Sequence, residues 1–228
     1  SNFMQKMLMS AAFIIIPIAV VRYFGMQKSD LSGIYAVATA FGFIAMGVGG
    51  AVGETRRITK QILIIGVSLF VASYGLFALS LGHKPLFYAG VIIFFIGFNL
   101  HEPILQSMAS KFSKVSQKGA ALGIFNAFGY MGSFIGGIGG GTLLKFYGLS
   151  ALSAVVTVLC VVWLIALKWL DNPNIFKNIY LPSDTDADLA EIEKQKGVVE
   201  CYKNAQNLVV KYNSKLTNEA EIKQILGV

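Results

Sequence analysis

Phe98-Asn99-Leu100-His101-Glu102-Pro103-Ile104-Leu105-Gln106-Ser107 interrupts an apolar run, Leu86 to Ser110, that ends at the first lysine of a basic loop. A helix needs about twenty apolar residues to cross the hydrocarbon core, and this run supplies them. An acidic side chain at the centre of such a helix costs about 2.5–3.5 kcal/mol on the insertion scale, so Glu102 requires a partner or a task. Counting back from Lys111 at 1.5 Å per residue puts Glu102 roughly 13–14 Å from the boundary, near the middle of a ~30 Å core. Burial there favours the neutral carboxyl unless a cation holds it charged. Pro103 frees the carbonyl of Asn99 and bends the helix beside it, while His101 points about 100° away around the helix.

Five further runs flank this one. The six expected transmembrane helices are Phe3 to Phe24, Leu31 to Gly53, Gln61 to Leu81, Leu86 to Ser110, Gly119 to Leu144 and Leu149 to Leu170. Composition agrees: 55% of residues are hydrophobic, 14% charged, and mean hydropathy is +0.63, too apolar for an ordinary soluble domain. Residues 1–171 carry 12 Lys/Arg against 4 Asp/Glu and residues 172–228 carry 7 against 8, which together make the net +7. The basic excess thus belongs to the membrane part, where it reports topology rather than nucleic acid. Arg56, Arg57 and Lys60 lie between the second and third helices, and Lys111, Lys114 and Lys118 between the fourth and fifth. By the positive-inside rule these loops and both chain ends are expected to be cytoplasmic. The chain enters its first apolar run at once, without a small-residue cleavage site, and reads as a fragment of a longer protein. Cys160 and Cys201 have neither a metal-ligand spacing nor a disulfide framework and are expected reduced. Cofactor and metal are expected to be none; no nucleophile elbow, metal cluster or phosphate loop supports an enzyme.

Glycines recur in register. Gly129, Gly132, Gly136, Gly137 and Gly140 give the fifth helix a face of small residues, and Gly42, Gly49, Gly50 and Gly53 give the second another. Such spacing lets a neighbouring helix approach to backbone contact. Two such helices suggest an interface with something outside this chain; static packing and a smooth sliding face are the alternatives.

Short signatures now narrow the family. Gly50 to Lys60, Gly-Ala-Val-Gly-Glu-Thr-Arg-Arg-Ile-Thr-Lys, resembles the acidic and basic cytoplasmic loop of the major facilitator superfamily, with Glu54 for the usual Asp and no glycine among Thr55, Arg56 and Arg57. Lys118-Gly119-Ala120-Ala121-Leu122-Gly123 is similar to the basic residue, Gly, x, Ala, x, Gly that opens the following helix there, and Gly97 sits about twenty residues earlier, as in that superfamily. The resemblance implies the C-terminal half of a twelve-helix transporter, helices seven to twelve, missing its N-terminal six-helix half. Glu54, Arg56 and Arg57 would then be cytoplasmic gating residues, or the arginines a plain positive-inside anchor.

After Asp171-Asn172-Pro173-Asn174 the composition becomes that of a soluble protein, so the domains are 1–171 and 172–228. Phe176 to Leu181 reads as a strand, then a helix capped by Ser183 or Asp184 runs to about Lys196 and is stopped by Gly197. Val198 to Tyr202 and Leu208 to Tyr212 make a hairpin, and Glu219 to Leu226 a last helix. The expected fold class is therefore an all-α membrane bundle followed by a small α+β, ferredoxin-like βαββα domain. Lys196 to Cys201 and Leu208 to Tyr212 resemble the middle of heavy-metal-associated domains, but the cysteine pair is replaced by Pro182-Ser183-Asp184-Thr185-Asp186. A soft metal site is not expected; Asp184, Asp186 and Asp188 either hold a hard cation or complement the helix dipole.

Bundle and tail together resemble the YajR-type transporters of Gram-negative bacteria, which similarly carry Phe-Asn followed by Glu in helix ten. The resemblance implies proton-driven efflux of a small, drug-like molecule, with substrate, protons and membrane lipid as partners. Glu102 is then the proton-coupling candidate. Arg22, Asn99, His101, Gln106, Asn126 and Tyr130, polar tips inside apolar helices, are the cavity candidates; packing hydrogen bonds are the alternative for Asn126 and Tyr130. The rival reading makes the bundle an anchor and the tail a regulatory or protein-interaction module.

Overall fold

The computed structural model describes residues 1–183 and 189–225, apart from the side chains of Glu54, Pro173, Ala190 and Ile225. Asp184, Asp186 and Asp188, and with them the first turn of the helix expected after Ser183, lie outside the described residues. The chain forms two compact units. One comprises Ser1–Ser107 with Leu122–Leu170; the other joins Met108–Ala121 to the described residues from Asp171 onward.

The first unit is helical: α1 Asn2–Ile18, extended by a π-helical turn Ala19–Tyr23, then α2 Asp30–Thr55, α3 Thr59–Leu79, α4 Lys84–Phe112 and α5 Lys118–Ala166. Among the described residues five helical runs are long and apolar enough to cross a membrane, Asn2–Tyr23, Asp30–Gly53, Thr59–Leu79, Lys84–Phe112 and Lys118–Trp169. Pro17 removes an amide donor just ahead of the π turn, where the hydrogen-bond ladder widens. At the centre Phe70, Tyr74, Phe77, Phe87 and Phe94 are fully buried. Their rings meet at tilted or edge-on angles, as aromatic quadrupoles favour.

The expected break between the fifth and sixth runs is narrower than a loop. Helical geometry continues on both sides of Gly148, which alone departs, at φ 81° and ψ −178°. That conformation is open essentially to glycine only. The two arms then lie in different senses. Gly129, Gly132, Gly136 and Gly140 sit against Asn2, Phe3, Met7 and Ala11 in ascending order, so the first arm is parallel to α1. Ser150 Oγ donates to the Ala78 carbonyl, Trp163 stacks on Phe70 at 6.2 Å and Lys60 Nζ donates to the Lys168 carbonyl, so the second arm is antiparallel to α3.

Most glycines of these faces turn out to be internal, whereas a side chain at Gly50 would meet nothing within 4 Å. A side chain at Gly132 or Gly136 would run into the Phe3 or Met7 backbone of α1. One at Gly42 would meet Asn99 Nδ2 at 2.5 Å, and one at Gly49 would strike Leu100 of α4. The expectation of an interface outside this chain is therefore corrected for these positions: they let α1 pack on α5 and α2 on α4. Gly137, expected on the same face, does not share it. A side chain there meets nothing within 4 Å, because one residue past Gly136 is a 100° turn away from α1.

In the second unit β1 Phe176–Pro182, β2 Val198–Lys203 and β3 Asn207–Asn213 form an antiparallel sheet in the order β1-β3-β2, with helices α6 Leu189–Glu193 and α7 Glu219–Ile225. Ile192 of α6 and Ile222 of α7 join Ile179, Leu181, Cys201, Leu208, Val210 and Tyr212 in one apolar core, which places both helices on one face. The register slips between Val198, opposite Tyr212, and Glu200, opposite Lys211. This bulge turns Glu200 off the core face and sets it beside Lys211 on the other. There the α4–α5 connection covers the sheet: Val115 N and Ser116 N donate to Glu200 Oε2 and Oε1 at 2.5 and 3.1 Å, and Lys211 Nζ donates to the Lys111 and Ser113 carbonyls, both at 2.7 Å. Phe112 packs edge-on against Phe176 at 5.4 Å.

Candidate functional site

Glu102 has a cation from within its own chain. Lys6 Nζ, on α1, lies 3.0 Å from both Oε1 and Oε2 of Glu102 on α4. The ammonium also sits 5.2 Å from the centroid of the Phe98 ring, one helical turn before Glu102, where a cation–π attraction adds to the charge pairing. Gly129 of α5 makes room for this arrangement: a side chain there would meet Lys6 Cγ at 3.3 Å and Asn2 Nδ2 at 2.6 Å. Gln106, one turn after Glu102, donates from Nε2 to Oε1 at 3.4 Å. The pair is neither surface nor core, with the Lys6 and Glu102 side chains 24% and 28% exposed.

Nothing in the local spacing announces Lys6. Within the first twenty-one residues, however, it is the lone charged side chain, and a charge inside an apolar helix calls for a partner of opposite sign. Lys6 and Glu102 answer one another.

The other sequence candidates divide between two sides of α4. Gln106 joins Glu102, whereas His101 turns inward and is fully buried. Its ring meets Trp163 and Phe70 edge-on at 5.2 and 5.8 Å, with Gly66 against it. Neither ring nitrogen has a hydrogen-bond partner among the described residues. His101 therefore belongs to the packed interior of this bundle and not to the face that carries Glu102. Asn99 back-bonds to the Phe95 carbonyl at 2.9 Å and packs against Gly42 of α2. Asn126 and Tyr130 are both exposed, Tyr130 at 76%, and flank Gly129, the glycine over which Lys6 passes. Arg22 is exposed in the π-helical turn at the far end of the α1 span.

In the α2–α3 loop Arg56 and Arg57 are exposed, and Arg57 takes φ 54°, the left-handed region. Glycine adopts that conformation without cost, so the loop keeps a turn of the glycine-containing kind without the glycine. The Glu54 side chain, the third gating expectation, lies outside the described residues. Among the described residues no cluster of His, Cys, Asp and Glu is placed to hold a metal ion.

The family model described as the Major Facilitator Superfamily matches residues 1–205. The chain is 28% identical over 180 residues to the inner membrane transport protein YajR of Escherichia coli (strain K12), covering 76% of this chain and 40% of that protein. It is 29% identical over 167 residues to an uncharacterized transporter of Buchnera aphidicola subsp. Baizongia pistaciae (strain Bp), covering 72% and 42%. Among solved structures, the POT family transporter PepTSo superposes with a TM-score of 0.55 at 16% identity over 73% of this chain and 36% of that one, a likeness of fold alone. The chain thus spans about two-fifths of the length of the curated relatives it matches, and these are transport proteins by name rather than enzymes. With a family match running from residue 1 through all five apolar spans, this multi-pass membrane chain belongs to the major facilitator superfamily.

Proposed function

We propose that the protein is a proton-coupled secondary transporter of the bacterial inner membrane, and that the Lys6–Glu102 pair is its proton-coupling switch. One observation carries this reading: a carboxylate inside an apolar span is held by a lysine from a different helix, on a face of the bundle that the chain itself leaves partly open. A protonated carboxyl releases that lysine, and a charged one holds it. Movement of α1 against α4 is thereby tied to proton binding, the differential interaction that coupling between two states demands.

Gly148 and the opposite senses of the two α5 arms support reading α5 as two crossings, six in all, with both ends on the same side of the membrane. A second six-helix half, upstream in the same chain or on another subunit, would complete a midplane cavity. Gln106, Asn126 and Tyr130 stand on the exposed faces nearest the pair and are the side chains we assign to substrate, a small organic molecule moving outward against protons. The tail, with order β1-β3-β2 and both helices on one face, reads as a ferredoxin-like unit short of its last strand.

Everted membrane vesicles carrying the complete gene product test the proposal. Imposing an acid-inside pH gradient should drive uptake of a transported compound, and collapsing the gradient with an uncoupler should stop it. Uptake indifferent to the gradient would sink the coupling assignment. Gradient-driven uptake that survives deletion of residues 174–228 separates the transporter from the rival reading, in which the tail carries the function.

A further inference from the structure

Among the described residues Glu200 and Lys211 are the most buried acidic and basic side chains, at 4% and 8% exposure. A charge is rarely so buried without partners. Besides attracting one another, both turn to the backbone of the α4–α5 connection. Glu200 accepts from Val115 N, Ser116 N and Ser116 Oγ, and Lys211 donates to the Lys111 and Ser113 carbonyls.

Each sign is matched to a helix end. Val115 and Ser116 open a 3-10 turn, Val115–Gln117, that runs straight into α5. The carboxylate therefore meets amides that lack a partner within the helix, at the positive end of the helix dipole. Lys111 is the next-to-last residue of α4 and Ser113 follows its end, so the ammonium meets carbonyls at a negative end. The connection has no acid of its own for this task. Lys114 holds the N-cap position of the 3-10 turn, in the extended conformation that a cap requires, φ −69° and ψ 149°, but makes no side-chain cap bond. A lysine offers donors only. The acceptor comes instead from Glu200, 85 residues after Val115, turned to that face by the bulge in β2.

We propose that Glu200 and Lys211 are positioning residues, a cap supplied by the tail that fixes the α4–α5 turn and, through it, the two helices that frame the Lys6–Glu102 pair. Its use, though not its geometry, rests on the transporter reading above. α4 carries Glu102, and α5 carries Gly129, over which Lys6 passes. The turn between them sets how far one helix slips along the other. A capped turn holds that offset at one value. An uncapped turn frays at the last turn of α4 and the first of α5, and the room left for Lys6 varies with it.

Two measurements on the complete gene product in nanodiscs test this, and neither needs a substrate. The first is amide hydrogen exchange over residues 118–121, the first turn of α5. Glu200→Gln should speed it about tenfold, the loss of one helix cap, while α3 keeps its wild-type rates. Adding Lys114→Asp puts an acceptor at the N-cap position and should restore slow exchange. Lys211→Met should speed exchange over residues 109–112 instead, which Lys114→Asp should not repair. Glu191→Gln, the same charge change at an exposed position of the tail, should leave both regions alone. The second is the double-mutant cycle between Lys6 and Glu102, with the coupling expressed as an equilibrium ratio. That ratio should fall about threefold or more when Glu200→Gln is the background and recover when Lys114→Asp is added. Exchange that Lys114→Asp fails to restore overturns the capping. Full coupling in both backgrounds overturns the positioning alone, whereas no coupling in either overturns the ion-pair reading and the positioning with it.

Discussion

Lys6 and Glu102 should be energetically coupled, each costing more to remove alone than from a chain that already lacks the other. At 3.0 Å and an effective dielectric of 20, the Coulomb attraction is about 5.5 kcal/mol, an upper bound because both groups give up water to meet. With about a quarter of each side chain exposed, the net coupling falls between the ~0.2–1 kcal/mol of exposed pairs and the ~3–5 kcal/mol lost when a buried pair is broken. We expect about 1–3 kcal/mol. The design is a double-mutant cycle of Lys6→Met, Glu102→Gln and the two together, read by chemical denaturation of the complete gene product in detergent micelles. Each single variant strands its partner, Glu102 without a cation or Lys6 over the Phe98 ring, so each should be destabilised. The double variant strands nothing and should be less affected than the sum. Additivity within about 0.3–0.5 kcal/mol would mean that the two residues do not interact and that the site has been misread.

Other predictions follow from the same structure. Gly136→Val should destabilise the bundle by about 1–3 kcal/mol or more, because the Met7 backbone blocks it, while Gly137→Ala stays within about 0.5 kcal/mol; thermal unfolding of the pair makes the comparison. Gly148→Ala, forced into a conformation that only glycine takes freely, should lose about 1–3 kcal/mol in the same assay. Glu200 titrates below the ordinary glutamate value of 4.5: partial burial opposes its ionisation, but the Val115 and Ser116 donors and Lys211 outweigh burial. A depressed carboxyl stabilises above its unfolded value and loses that contribution as pH falls through the folded one. Hydrogen exchange at Val115 and Ser116, corrected for intrinsic rates, should therefore be slow at neutral pH and accelerate below about pH 4.5. Glu200→Gln should exchange fast throughout, without that pH step.

Much of the architecture is legible before any coordinates, because the bilayer imposes it. Apolar runs of sufficient length, basic loops between them and glycines at fourfold spacing all follow from what hydrocarbon tolerates. What escapes is whatever depends on partners distant in the chain. Glu102 announces that it needs a cation, but Lys6 lies 96 residues away, and no local period connects α1 to α4. The glycine faces are visible as faces; that Gly132 and Gly136 receive α1 rather than another protein depends on how the helices are arranged. His101 and Glu102 are neighbours in sequence and look like one site, yet the 100° step between them sends one into the core and the other out of it. In the tail, strict alternation through Val198 to Tyr202 would have put Glu200 on the core face. The slip after Val198 reverses that, and it creates the acid that holds the Val115 and Ser116 amides.

The most direct measurement compares wild type and Glu102→Gln in everted vesicles under two regimes, transport driven by a pH gradient and counterflow of labelled against unlabelled compound with no gradient. Counterflow needs a folded, substrate-binding, alternating protein but no net proton movement, so it separates coupling from collapse. If Glu102 carries the coupling proton, Glu102→Gln loses gradient-driven transport and keeps counterflow. Gradient-driven transport at the wild-type rate in that variant would contradict the assignment outright.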